Sequence, residues 1–158
     1  MKNRTVTLFV VAAAFLMAPF AAMAETVAIT ALSENPKPHG MSDDVRSAFV
    51  KHFTAAGFTV VDIAKVDAAN VPAKMDAAAV PQKPEVARSA AKSLGADYLV
   101  TGNVASNGSA GLISTFTFGA NAGQQGEGKP FNGANSIDGT VKSIVANILS
   151  AIRSKNVN

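Results

Sequence analysis

The chain reads as a single-domain α/β (α+β) protein, a mixed β-sheet with helices packed on it. Three observations predict this. Runs of strand-forming residues, Thr26 to Leu32, Phe58 to Asp62 and Tyr98 to Val104, alternate with segments whose apolar residues recur at three- and four-residue spacing. Gly57 and Gly95 stand where a helical segment must stop before the next strand begins. Leu94 to Val104, LGADYLVTGNV, then packs a helix end, a tight turn and a buried strand into one short stretch, and the rest of the chain is arranged around it.

Residues 1–24 predict a signal peptide. Lys2 and Arg4 form a positive start, Leu8 to Phe20 is apolar but for Pro19, and Ala22-Met23-Ala24 is a small-x-small cleavage site before Glu25. The apolar run is short for a spanning helix, which needs about 20 residues. Lys2-Asn3-Arg4 holds no twin arginine, so export runs by the general secretion route. Residues 25–158 then form one periplasmic α/β domain, long enough to bury a core. The mature part carries twelve basic and eleven acidic residues, a formal charge of +1. With no block of like charge, no Trp and one Tyr, nothing supports a nucleic-acid partner. Cysteine is absent, which removes disulfides, thiol chemistry and the lipidated cysteine of a lipoprotein. The mature protein is therefore expected to be unlipidated, with no membrane span after signal cleavage.

Along the mature chain, Thr26 to Leu32 reads as a first, central strand. Ser33 to Gly40, with two prolines and a glycine, reads as a loop. Ser42 is a good N-cap, and Asp43 and Asp44 suit a first helical turn. Val45, Ala48, Phe49, His52, Phe53 and Ala56 make one apolar stripe up to Gly57. A helix joining strands at 26–32 and 58–62 implies a parallel crossover. Residues 63–83 are rich in alanine and allow either a short helix around Lys74 to Val80 or a mobile excursion. Pro84 and Glu85 open a helix with a narrow face of small residues, Val86, Ala87, Ala90, Ala91 and Leu94. Gly102 marks a bulge or a close backbone approach.

The alternation from Gly111 to Phe118 predicts a hairpin partner for the 98–104 strand, with Leu112, Ser114, Phe116 and Phe118 on one face and Ile113, Thr115 and Thr117 on the other. Gly119 to Gly133 holds five glycines and reads as a flexible loop anchored by Phe131, with a short return strand as the alternative. Ser136 caps a last helix whose stripe, Ile137, Val141, Ile144, Val145, Ile148, Leu149 and Ile152, is the strongest in the chain. Its sparse basic residues fit packing on the sheet better than lying on a membrane.

The residues that could carry chemistry are few. His39 lies in a proline-bracketed loop, and His52 lies on or beside an apolar stripe, where a packing role outweighs that of a general base. There is no G-x-S-x-G, and Asp43-Asp44 lacks the spacing of a calcium loop. Gly123 to Gly128, GQQGEG, has no Lys-Ser/Thr after it and so fails as a phosphate loop. No catalytic, cofactor-binding or metal-ligating residue is assigned, and no cofactor is expected. A hydrolase built on His52 or His39 ranks last.

The order of elements resembles a family of envelope proteins that includes the curli secretion protein CsgG, the penicillin-binding-protein activator LpoB and the N-terminal domain of TolB. The residues that carry the resemblance are Val27-Ala28-Ile29, Gly57-Phe58-Thr59-Val60-Val61-Asp62, and Ala91 through Val104, AKSLGADYLVTGNV. It covers roughly residues 26–150. The chain departs from CsgG and LpoB in lacking a lipidated cysteine, from CsgG in lacking long pore-forming hairpins, and from TolB in lacking a propeller. The resemblance implies an αβ scaffold that docks proteins: a non-enzymatic periplasmic accessory binding envelope proteins of secretion, flagellar or cell-wall assembly, with a homo-oligomer as a further form. A periplasmic small-ligand or glycan-binding module, using a crevice at the strand ends, is the alternative. Loops 33–41 and 119–135 are the expected contact surfaces.

Overall fold

The structure, a computed structural model, describes residues 24–35, 40–121 and 123–154. The predicted signal peptide, apart from Ala24, and His39 lie outside the described residues. A mixed sheet runs in the order β3 (Thr59–Val60), β1 (Thr26–Ile29), β4 (Tyr98–Ser106), β5 (Ala110–Gly119), β6 (Gln124–Asn132), with β2 (Ser33–Asn35) also paired to β4. β1 is parallel to both β3 and β4, and β4, β5 and β6 follow one another antiparallel. The parallel crossover read from the sequence is therefore present.

One face of the sheet carries α1 (Met41–Ala55) and α5 (Ile137–Arg153). The other carries α2 (Ile63–Ala68), α3 (Val71–Ala77) and α4 (Lys83–Leu94). Strand alternation divides the core accordingly. Val27, Ile29, Tyr98, Val100, Val104, Ile113 and Phe131 meet Val45, Phe49, Phe53, Val141, Ile144 and Ile148 on the first face. Ala28, Leu99 and Phe118 meet Val66, Val71, Ala87, Ala91 and Leu94 on the second. A row of rings, Phe49, Phe53, Phe58 and Tyr98, with centroids 5.5 to 6.3 Å apart, ties α1 to the sheet.

The turn at Gly95 is as the sequence predicts: its φ is +70°, and Ala96 N–H closes back on Ala91 O. Asp97 then fixes the strand that follows. Its carboxylate accepts from Thr26 N–H at 2.8 Å, its own N–H donates to Thr26 O, and its carbonyl accepts from Ala120 N–H. Gly102 is a close backbone approach, since a Cβ there would collide with the Ser114 carbonyl and the Thr115 Cα of the neighbouring strand.

Several expectations change. Ser33–Asn35 is a strand, because β1 pairs with only the first residues of β4 and leaves the edge at Asn103–Ala105 open for the chain to occupy. Gly119–Gly133 is largely β6, a full strand instead of a flexible loop, and Phe131 is buried as its anchor. Gly40, in a left-handed conformation, precedes α1 in place of Ser42, whose N–H lies 3.5 Å from the Glu34 carboxylate. Residues 63–83 form α2, α3 and a 3₁₀ turn at Val80–Gln82, held down by buried Val66 and Val71. Pro84 is the second residue of α4, which begins at Lys83. Ser136 precedes α5, yet its hydroxyl accepts from Asn132 N–H and donates to Gly133 O without capping the helix. Ala56 is exposed and is no part of the core stripe.

Candidate docking surface

In sheets with parallel strands, small molecules bind beyond the carboxyl ends of the strands. That place here lies past Ile29, and Arg46 fills it. The buried guanidinium donates from Nε (3.2 Å) and Nη2 (2.9 Å) to Ile29 O, and from Nη1 (3.1 Å) and Nη2 (2.7 Å) to the two oxygens of Asp67. A shallow groove of about 350 Å³ lies beside it, lined by Thr30, Val66, Asp67, Asn70, Pro72 and Asp76. Its buried polar groups are engaged internally: Arg46 as above, and the Thr30 hydroxyl donating to Ala31 O at 3.0 Å. Sequence reasoning missed Arg46. The available signal was a lone arginine beside Val45 in the α1 stripe.

His52 stands at the margin of α1. Its Nε2 lies 3.1 Å from Asp138 Oδ1, the same oxygen that accepts from Lys51 Nζ at 2.8 Å. The Lys51 hydrogen bond is the chief cause that holds the Asp138 carboxyl below the usual carboxylate range; the charges of Lys51 and His52 add to it. Together these groups clip α1 to the start of α5. Among the described residues the partner of the His52 ring is the Asp138 carboxylate. Asp43 and Asp44 are exposed on the first turn of α1. Among the described residues no three His, Cys, Asp or Glu side chains gather as a metal site, and no helix is long and apolar enough to cross a membrane.

The surface that stands out is the second face of the sheet. α4 covers Leu99 and Phe118 near one end of β4 and β5, and the helical layer stops there. Beyond it the register sets Ala105, Leu112 and Pro130 in one row and Phe116 beside Gly126 in another, all on the open face. Leu112 is 42% exposed and Phe116 45%. A groove of about 210 Å³, bordered by Met75, Val80, Pro84 and Phe118, continues the patch toward α4, and Val80 is 78% exposed. The outer rim of this surface is β6, the long free edge of the sheet. Of the two loops expected to make contacts, 119–135 supplies this edge strand. The other begins with β2, and its residues 36–39 lie outside the described residues.

No family model matches the sequence, and no curated protein matches it significantly. Solved structures do share the fold. A PelC dodecamer from Paraburkholderia phytofirmans matches over 77% of this chain and 87% of its own, at 14% identity and a TM-score of 0.52. Lipoprotein GNA1162 from Neisseria meningitidis matches over 79% of this chain and 96% of its own, at 12% identity and a TM-score of 0.50. The LpoB C-terminal domain from Salmonella enterica matches over 68% of this chain and 82% of its own, at 10% identity and a TM-score of 0.48. The chain therefore shares its fold, a single α/β domain with a mixed sheet, with PelC and lipoprotein GNA1162.

Proposed function

We propose that the protein is exported to the periplasm with cleavage of residues 1–24, and there acts as a non-enzymatic accessory that docks other cell-envelope proteins. The observation that carries this reading is the half of the sheet left uncovered among the described residues, where Leu112 and Phe116 stand exposed on a three-strand platform. Phe116 continues into the groove bordered by Met75, Val80, Pro84 and Phe118, and an exposed apolar surface of this kind is one that another protein can cover. The fold supports the same reading, since structures that share it include a lipoprotein and PelC, which forms a dodecamer. With no cysteine in the sequence, a lipid on cysteine has no place to attach.

Cross-linking in living cells, with capture identified by mass spectrometry, tests the proposal. A saturable envelope protein is the expected product. Recovery of the protein with no envelope partner, together with a thermal midpoint raised by cell-wall fragments, would favour the ligand-binding alternative instead.

A further inference from the structure

The β6 edge has a backbone pattern that fits itself. Gly119 N–H donates to Gly123 O, and the same antiparallel register makes the odd-numbered residues of β6 the ones that bond to β5. The even-numbered residues point their N–H and C=O groups away from the sheet. Pro130, which has no N–H to give, falls in this outward set, and the outward N–H of Asn132 is already taken by the Ser136 hydroxyl at 2.8 Å. Gln124, Gly126 and Gly128 remain, with no backbone partner on that side among the described residues. Gly126 O meets only the side-chain amide of its neighbour Gln125, at 3.2 Å.

Free edges are normally blocked by charge, by proline or by a bulge. Here the two charges of the strand turn away from the open face toward α5, where Lys129 Nζ donates to the Ser143 hydroxyl at 2.6 Å and Glu127 accepts from the Asn147 amide. Pro130 guards only one end. The middle of the edge is glycine.

We propose that β6 pairs with β6 of a second copy of this chain, antiparallel about a two-fold axis at Gly126. This reading rests on the edge alone and is independent of any envelope partner. Any axis centred on a residue of β6 keeps the even residues opposite each other, and those at Gly126, Glu127 and Gly128 leave Gln124, Gly126 and Gly128 all facing residues of β6. An axis at Glu127 sets that carboxylate against its own copy, which is unfavourable. An axis at Gly128 sets Pro130 against Gly126 and forfeits a donor. With the axis at Gly126, Gly126 faces Gly126 and Gln124 faces Gly128, so every outward N–H and C=O of the three residues finds a partner. The same axis deals with the exposed Phe116. Phe116 lies opposite Gly126 on the open face, its ring close enough that a Cβ on Gly126 would sit 3.3 Å from Cε1. Pairing the two glycines brings the Phe116 rings of both copies to either side of the axis and joins the two open half-faces into one continuous surface. A foreign strand would satisfy the backbone but would not set Phe116 against itself.

Sedimentation velocity on the exported protein tests this, using Gly126→Glu and Gly126→Lys. A side chain there meets only the flexible Phe116 ring, so the fold is kept, and an unchanged thermal midpoint checks it. The wild type is expected as a dimer, each variant alone as a monomer, and their equal mixture as a dimer again, because opposite charges then face each other at the axis. On the wild type alone, exchange of the Gln124, Gly126 and Gly128 amides should slow about tenfold or more from dilute to concentrated protein, while Glu127 and Lys129 are unchanged. A wild type that stays monomeric at millimolar concentration overturns the proposal. So do variants that keep the wild-type size, or a mixture that stays monomeric.

Discussion

Arg46 joins three pieces of chain that are far apart in sequence. Its guanidinium bonds Ile29 O at the end of β1 and Asp67 on α2 while its backbone belongs to α1. Arg46→Ala leaves a buried carbonyl without its donor. Since Asp67 is about half exposed, the ion pair itself adds little. The expected loss is about 2 kcal/mol, read from urea unfolding. Thr115 and Thr117 err in the opposite direction: each is buried beneath the α1/α5 layer, with a hydroxyl that has no hydrogen-bond partner among the described residues. Thr115→Val keeps the shape and removes the orphan, so it should raise stability by about 1 kcal/mol in the same assay. Tyr98 gives the pH dependence. Burial first, then its hydrogen bond to Glu25 and the charges of Glu25 and Asp97, push the phenol up to about 12 from 10.0. The folded state thus holds this proton more tightly than the unfolded chain. Its contribution is complete below pH 10 and is lost as pH rises toward about 12. Tyr98→Phe should lose less stability than the wild type across that range, and equal losses would rule the phenol out as the cause. Gly95 and Gly102 were legible from sequence because a backbone conformation and a close approach each demand glycine locally. Arg46 was not, because its partners are brought to it only by the finished fold.

Elements were legible where their side chains carry a period. The stripe of α5 and the β4–β5 hairpin stand where the pattern placed them, as do the stripe of α1 short of Ala56 and the face of α4 apart from Val86. β6 was obscured by its own composition. Gln125, Glu127, Lys129 and Phe131 alternate correctly toward α5, but the positions between them include Gly126, Gly128 and Pro130, residues that ordinarily signal a loop. β2 has no strand signal of its own and exists because β4 is longer than β1. The α2–α3 segment is anchored by Val66 and Val71, too few large residues to show a period among alanines. At Gly102 β4 and β5 leave no room for a Cβ. Gly102→Ala is expected to cost about 3 kcal/mol, as overpacking against backbone that cannot move aside. A loss below about 1 kcal/mol would show that the two strands separate easily there.

Among the described residues the molecule is a sheet with helices along one face and over half of the other. That asymmetry follows from chain order. α1 and α5 span the first face, whereas the α2–α4 excursion is inserted between β3 and β4 and reaches only the parallel end of the sheet. The antiparallel end is left as a platform of β4, β5 and β6 on which, among the described residues, Leu112 and Phe116 stand exposed. A docking role makes use of that platform and requires no catalytic group. Leu112→Glu places a charge in the patch without touching the core, so it should weaken capture of an envelope partner while leaving the thermal midpoint unchanged. The most direct measurement places a photo-cross-linking residue at Leu112 in living cells and, as a control, at Asp43, which is exposed on the first turn of α1. The docking account predicts a saturable adduct with an envelope protein from Leu112 and none from Asp43. No adduct at Leu112, or equal adducts at both positions, would contradict it.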